Sequence, residues 1–140
     1  MPSLRIRQAA ELLGVSDDTV RRWINHGTLA VSLDAAGRKV VASEDLAEFA
    51  RTNAPAPARD PLGIGSSARN RFVGLVTKVT SDKVMTQVEM QCGPFTVVSL
   101  MSTAAAQELK LQPGSVAVAV VKATTVIVET ARPSTAVASD

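Results

Sequence analysis

Apolar positions recur along this chain with two different periods. Over residues 5–51 they fall three and four apart, broken by short turns, whereas over residues 71–130 they alternate or cluster in β-branched runs. Ile6, Ala9, Ala10 and Leu13 mark one face of a short helix, and Gly14 follows where helices commonly end in the left-handed conformation. Ser16 is placed to cap a second helix, with Asp17 and Asp18 in its first turn against the peptide dipole. Val20, Trp23 and Ile24 form the apolar face of that helix, and Gly27 closes it. Two short helices around a tight glycine turn predict a helix-turn-helix. Leu29 to Leu33 and Arg38 to Ala42 then flank Asp34-Ala-Ala-Gly37, the pattern of a hairpin with a glycine turn. Ser43 is expected to cap a third helix, with Glu44 and Asp45 in its first turn and Leu46, Ala47, Phe49 and Ala50 as apolar contacts.

The second half predicts strands over residues 71–79, 84–90, 95–101, 115–122 and 125–130. A capped helix from Ser102 to Leu109 and a turn at Leu111-Gln-Pro-Gly114 separate the third strand from the fourth. Five strands with one helix before the fourth suggest a small OB-like β-barrel, so the fold class is α+β. Residues 52–66 hold three Pro and two Gly without an apolar period, which is linker chemistry. The expected organisation is a helix-turn-helix domain at 1–51, a linker at 52–66, a β domain at 67–131 and a flexible tail at 132–140.

Composition sharpens the picture. The chain is 46% hydrophobic and 20% charged, a folded and not a disordered profile. Its apolar content is 21 Ala and 19 Val against 4 aromatics, so two small domains would have thin cores and self-association is expected. A single cysteine, Cys92, excludes a disulfide framework, a Cys-rich zinc site and an iron–sulfur cluster. With one histidine, His26, no nucleophile–base pair or metal-ligand set can be assembled; the protein does not read as an enzyme, and no free metal cation is expected. His26 itself reads as a helix-end group near the dipole. The longest aliphatic run, Val116 to Val121, is six residues, and the N-terminus lacks a signal-like apolar core, so a cytoplasmic protein without membrane segments is expected.

Net charge is +2, and residues 1–51 balance 7 basic against 7 acidic groups. Nucleic-acid contact must therefore come from local placement. At about 100° per residue Arg22 lies nearly opposite Val20, with Asp18, Arg21 and Asn25 on the same outward side. Arg and Asn make the bidentate contacts that read guanine and adenine edges, although such a pair is equally readable as solvated helix charge. Arg38 and Lys39 flank the hairpin tip, within reach of phosphate.

Taken together, Ala9-Ala10-Glu11-Leu12-Leu13-Gly14-Val15-Ser16, Thr19-Val20-Arg21-Arg22-Trp23, Gly27-Thr28-Leu29, Gly37-Arg38-Lys39 and Glu44-Asp45-Leu46 resemble the winged helix-turn-helix of the MerR and phage-excisionase type. The resemblance implies that the second helix enters the major groove of double-stranded DNA and the wing rides the backbone. Thr19, Arg21, Arg22, Asn25, Arg38 and Lys39 would then be the DNA-binding residues. The wing loop is plainer than the Gly-His-Arg-Arg form common in that family.

In the second half, Phe72 and Phe95 are the only aromatics, too few to stack single-stranded bases. Ser67-Ala-Arg69-Asn70, Ser102 and Lys122-Ala-Thr124-Thr125 supply hydroxyls, a helix N-terminus and fixed cations, the groups a tetrahedral oxyanion needs. By spacing alone, Lys122 reads rather as a solubilising charge and Ser67 as a loop hydroxyl. These motifs, with Gly74-x-Val76, Glu108-Leu-Lys-Leu111, Pro113-Gly114 and Lys122-Ala-Thr-Thr-Val-Ile127, resemble a single molbindin (Mop) unit of the TOBE class. That resemblance implies dimers made by strand exchange, with hexamers built from them. It also implies molybdate or tungstate bound between subunits by Ser67, Arg69, Ser102, Lys122 and Thr124. Relatives often carry a second hydroxyl at the helix start, where this chain has Ala105. The expectation is a DNA-binding transcriptional regulator that senses molybdate or tungstate as a homo-oligomer. A storage or buffering protein, and a DNA-binding accessory protein whose barrel only oligomerises, are the alternatives.

Overall fold

The computed structural model describes residues 2–132, so the expected tail lies, from residue 133 onward, outside the described residues. The chain divides into two compact units, Met1–Ala56 and Pro57–Asp140.

In the first unit a short strand β1 (Ser3–Arg5) runs into helix α1 (Ile6–Leu13). Gly14, at φ 68°, ends α1: the amides of Gly14 and Val15 donate to the carbonyls of Glu11 and Ala10, satisfying the last turn. Helix α2 (Asp17–Asn25) starts as its sequence requires, with the Ser16 hydroxyl accepting from the Thr19 amide at 3.2 Å. It ends the same way as α1, Gly27 at φ 76° letting Thr28 and Gly27 donate back to Trp23 and Ile24. Strands β2 (Ser32–Leu33) and β3 (Lys39–Ala42) form the hairpin, and helix α3 (Ser43–Asn53) follows. Ser43 is the first residue of α3 and not its cap; its amide donates to the Pro2 carbonyl, so tertiary contact replaces the expected side-chain cap.

The three strands lie in the order β1-β3-β2, all antiparallel. The core is Ile6, Ala9, Ala10, Val20, Leu29, Val41 and Leu46, with Trp23 and Phe49 packed on it at a 4.7 Å ring-centroid separation. Leu29, expected in the hairpin strand, is drawn into this core instead. Full burial of Val20 or Leu29 stabilises by roughly 1.5–3 kcal/mol, which is why α2 keeps one fixed outward face.

The second unit is one antiparallel sheet of four strands: β4 (Asn70–Ser81), β5 (Met85–Cys92), β6 (Phe95–Ser102) and β7 (Val116–Val121), in the order β6-β5-β4-β7. Helix α4 (Thr103–Glu108) follows β6, with the Ser102 hydroxyl accepting from the Ala105 amide at 3.1 Å. On β5, Thr86, Val88 and Met90 alternate inward as the period predicts and Cys92 continues the row, whereas Val84, expected on the same face, precedes the strand and is exposed. Thr86 is fully buried, and its hydroxyl is shared between Ser81 and Thr103 at 2.8 and 2.9 Å. Gly74 has no room for a side chain: a Cβ there would meet the Gln91 carbonyl oxygen at 2.3 Å and Cys92 Sγ at 2.7 Å.

The expected fifth strand is not in the sheet. Ala123–Thr125 form one 3-10 turn, and Val126, Ile127 and Val128 continue unpaired and exposed. β-Branched residues fit a pleated, half-buried surface, but a strand also needs a neighbour for its amides, and none is within this unit among the described residues. The sheet is thus an open half-barrel whose edges are β6 and β7.

Candidate nucleic-acid interface and anion site

Packing of Val20, Trp23 and Ile24 turns the opposite face of α2 to solvent, and Asp18, Arg21, Arg22 and Asn25 are all exposed there. Thr19 is half-buried, and its hydroxyl accepts from the Arg22 guanidinium at 3.2 Å while also meeting the Ser16 hydroxyl at 3.0 Å. Thr19 therefore aims Arg22 before any partner is present. Arg21 lies 3.7 Å from Asp18, an exposed pair of small energetic weight.

At the wing, Asp34 organises the tip. Its carboxylate accepts from the amides of Ala36 and Arg38 and from Arg38 Nε at 3.1 Å. These bonds, the Arg38 amide foremost, hold the Asp34 carboxyl below the usual aspartate range. Arg38 is thus partly spent on the turn, while Lys39, exposed, makes no ion pair among the described residues.

Two residues the sequence reading passed over join this face. Because β1 pairs with β3, Arg5 opposite Val40, the N-terminal segment lies beside the wing. Arg5, Arg7, Arg21, Arg38 and Lys39 line one open groove of about 750 Å³, with Ile6, Gln8 and a single carboxylate, Asp17. The signal was present as the polar–apolar alternation of Ser-Leu-Arg-Ile-Arg.

In the second unit the candidate anion residues fall into two sets. Register Asn70↔Val121 sets the entry motif and the Lys122-Ala-Thr124 run at the same margin of the β4–β7 pair, and Ser67, Arg69, Lys122 and Thr124 are all exposed. The Thr125 hydroxyl, not that of Thr124, is spent on the Lys122 carbonyl, at 2.8 Å. Ser102 is elsewhere. It pairs with Met85 at the β5 end that lies beside Ser81, the far end of β4 from Asn70. The 12 residues of β4 separate the two sets by roughly 35 Å of strand. One chain does not bring all five residues together.

The linker's far end is tied down. Asp60 receives Arg71 Nε at 2.7 Å and the Leu62 amide at 2.9 Å, and the Arg71 bond above all lowers the Asp60 carboxyl. Asp60, read as linker, thereby fixes the approach to β4. His26 caps the end of α2, whereas Cys92 is buried in the other unit with its thiol 3.6 Å from the Phe72 carbonyl. Among the described residues no three His, Cys, Asp or Glu side chains cluster as metal ligands, and no helix is long and apolar enough to cross a membrane.

The geometry defines a class: a small helix-turn-helix unit with a cationic outward face, joined to an open β unit with a divided polar set. Residues 3–54 match the helix-turn-helix domain family, and residues 66–128 match the TOBE domain family. The chain is 37% identical over 70 residues to the molybdenum transport protein ModE of Herbaspirillum seropedicae, a match covering 49% of this chain and 26% of that one. It therefore spans about a quarter of that relative's length. Among solved structures it is similar to a molybdate-binding protein from Sporomusa ovata, at 27% identity and TM-score 0.46 over 48% of this chain and all of that one. It is similar also to MopII from Clostridium pasteurianum, at 30% identity and TM-score 0.45 over 47% of this chain and all of that one.

Proposed function

We propose that this chain is a cytoplasmic transcriptional regulator that binds double-stranded DNA through Thr19, Arg21, Arg22, Asn25, Arg38 and Lys39. Its TOBE domain senses molybdate or tungstate through Ser67, Arg69, Ser102, Lys122 and Thr124, in an assembly of several copies. The carrying observation is the division of the anion residues between the two ends of β4. An anion gripped by both sets is held by two copies, so occupancy of the site and association of the chains are one equilibrium. A helix-turn-helix reads two half-sites at fixed spacing when dimeric, so an anion that favours one assembly favours DNA binding by it. The TOBE match and the molybdenum-related name of the ModE relative support the choice of anion.

The half-barrel's exposed apolar surface supports self-association. Phe95, Val98 and Leu100 on β6, Val116 on β7, and Ile127 and Val128 beyond it are each more than half exposed. Such surface on a chain this small fits a homo-oligomer, with residues 126–128 adding to a partner's sheet edge as an exchanged strand. The reading is of a binding protein and not an enzyme.

The test is calorimetric titration of the full chain with molybdate, tungstate and sulfate, repeated with operator-containing DNA. Binding of molybdate or tungstate that changes DNA affinity supports a sensor. Many anions per oligomer with no sequence-specific DNA binding makes it a storage protein, and specific DNA binding with no anion uptake leaves the barrel an oligomerisation core.

A further inference from the structure

The groove between the start of α1, the start of α2 and the wing has a charge that the reading of α2 and the hairpin alone does not explain. Its walls carry five cationic side chains, Arg5, Arg7, Arg21, Arg38 and Lys39, against the single carboxylate of Asp17. Three of the cations have partners outside that set: Arg38 is held by Asp34 at 3.1 Å, Arg21 faces Asp18 at 3.7 Å, and Arg7 faces Glu11 at 3.9 Å. Arg5 makes no ion pair among the described residues, and its backbone is fixed twice: in the β1–β3 ladder opposite Val40, and by its amide donating to Gln8 Oε1 at 3.0 Å. A cation whose backbone is anchored and whose charge is unpaired, in a groove of like charges, is stabilised by an external anion.

We infer that Arg5 and Arg7 are phosphate-binding residues, and that this groove takes a sugar–phosphate strand of the DNA that α2 reads. The inference rests on the DNA-binding reading of α2 and adds to it a second anchoring line. The first turn of α2, Asp17 included, forms one wall, and the start of a recognition helix is the part that goes deepest into the major groove. The strand bordering that groove then passes beside the same wall, between α1 and the wing. The cationic lining matches a chain of phosphodiesters, whereas Asp17 opposes one. Contacts of this kind fix register and orientation without reading sequence.

The experiment measures binding of the 140-residue chain to an operator-containing duplex and to a random-sequence duplex across a salt series. The variants are Arg5→Gln with Arg7→Gln, and separately Asp17→Asn. Removing two phosphate contacts is expected to flatten the slope of log affinity against log salt by about 2 on both duplexes alike. Asp17→Asn, which removes the opposing charge, is expected to tighten both; a misfolded variant could not do that. An unchanged salt slope in the double variant, with normal wild-type DNA binding, overturns the inference and leaves the α2 reading standing. Loss of poly-glutamate binding in the double variant, with that slope unchanged, overturns it in favour of an acidic peptide. Absence of DNA binding by the wild type overturns both readings.

Discussion

Asn70 and Val121 face one another across β4 and β7, and the Asn70 side-chain amide donates to the Val121 carbonyl at 3.1 Å. Backbone pairing is thus reinforced by a side chain at the last register position before the strands part. Arg69 precedes the first residue and Lys122 follows the second, so two cations leave adjacent strands whose backbones are about 5 Å apart. In the proposed site, an oxyanion between the two side chains would offset their like charge. Asn70 holds that arrangement in place.

Mixing variants tests the division of the anion site. Ser102→Ala and Lys122→Ala are each expected to lose most molybdate binding as homogeneous proteins. Co-assembled, the two chains are expected to recover a fraction of the sites, because some interfaces then unite an intact Lys122 with an intact Ser102. Equilibrium dialysis of the mixture is the measurement; no recovery would mean that both residues act within one chain.

Arg22→Ala is expected to cost roughly 1–3 kcal/mol on an operator and little on random DNA, the mark of a base-reading side chain. Oligomer size, read by light scattering, is expected to be unchanged. Thr19→Val removes the hydroxyl that accepts from Arg22 and keeps the shape, so a smaller loss of the same kind is expected. Equal losses on both DNAs would make Arg22 a phosphate contact.

Gly74→Ala is expected to destabilise the β unit by about 1–3 kcal/mol, since its Cβ would collide with the Gln91 carbonyl oxygen, a backbone atom that cannot swing away, and with the buried Cys92 sulfur. Thermal unfolding monitors this directly, and an unchanged midpoint would mean that β4 and β5 separate more easily than their packing implies.

Acid is expected to loosen the wing tip. The hydrogen bonds from Arg38 and Ala36 lower the folded-state pKa of Asp34, so its contribution is present above the ordinary value of about 3.9 and disappears as pH falls through the lower folded value. Asp60 and Asp82 behave likewise, held low chiefly by Arg71 and by the Met85 amide. Amide exchange at Ala36 and Arg38 reports the tip, and Asp34→Ala is expected to bring that fraying to neutral pH.

The sequence by itself determined what is closed by neighbours a few residues away. The two helices of the helix-turn-helix, the Ser16 and Ser102 caps, the left-handed glycines 14, 27 and 37, and the inward alternation of Thr86, Val88 and Met90 depend on local hydrogen bonds and fixed periods. Tertiary structure decided whatever depends on a distant partner. Strand β1 exists because β3 offers it an edge, and only that pairing brings Arg5 and Arg7 beside Lys39. Residues 125–130 have strand composition but no partner strand within the unit among those described, so composition overstated the sheet by one strand. Ser102 and Lys122 are 20 positions apart in a pattern that reads as one site, yet the antiparallel register carries them to opposite ends of β4. Periodicity says which face a residue takes; which strand lies beside it is set by bonds between segments far apart in the chain.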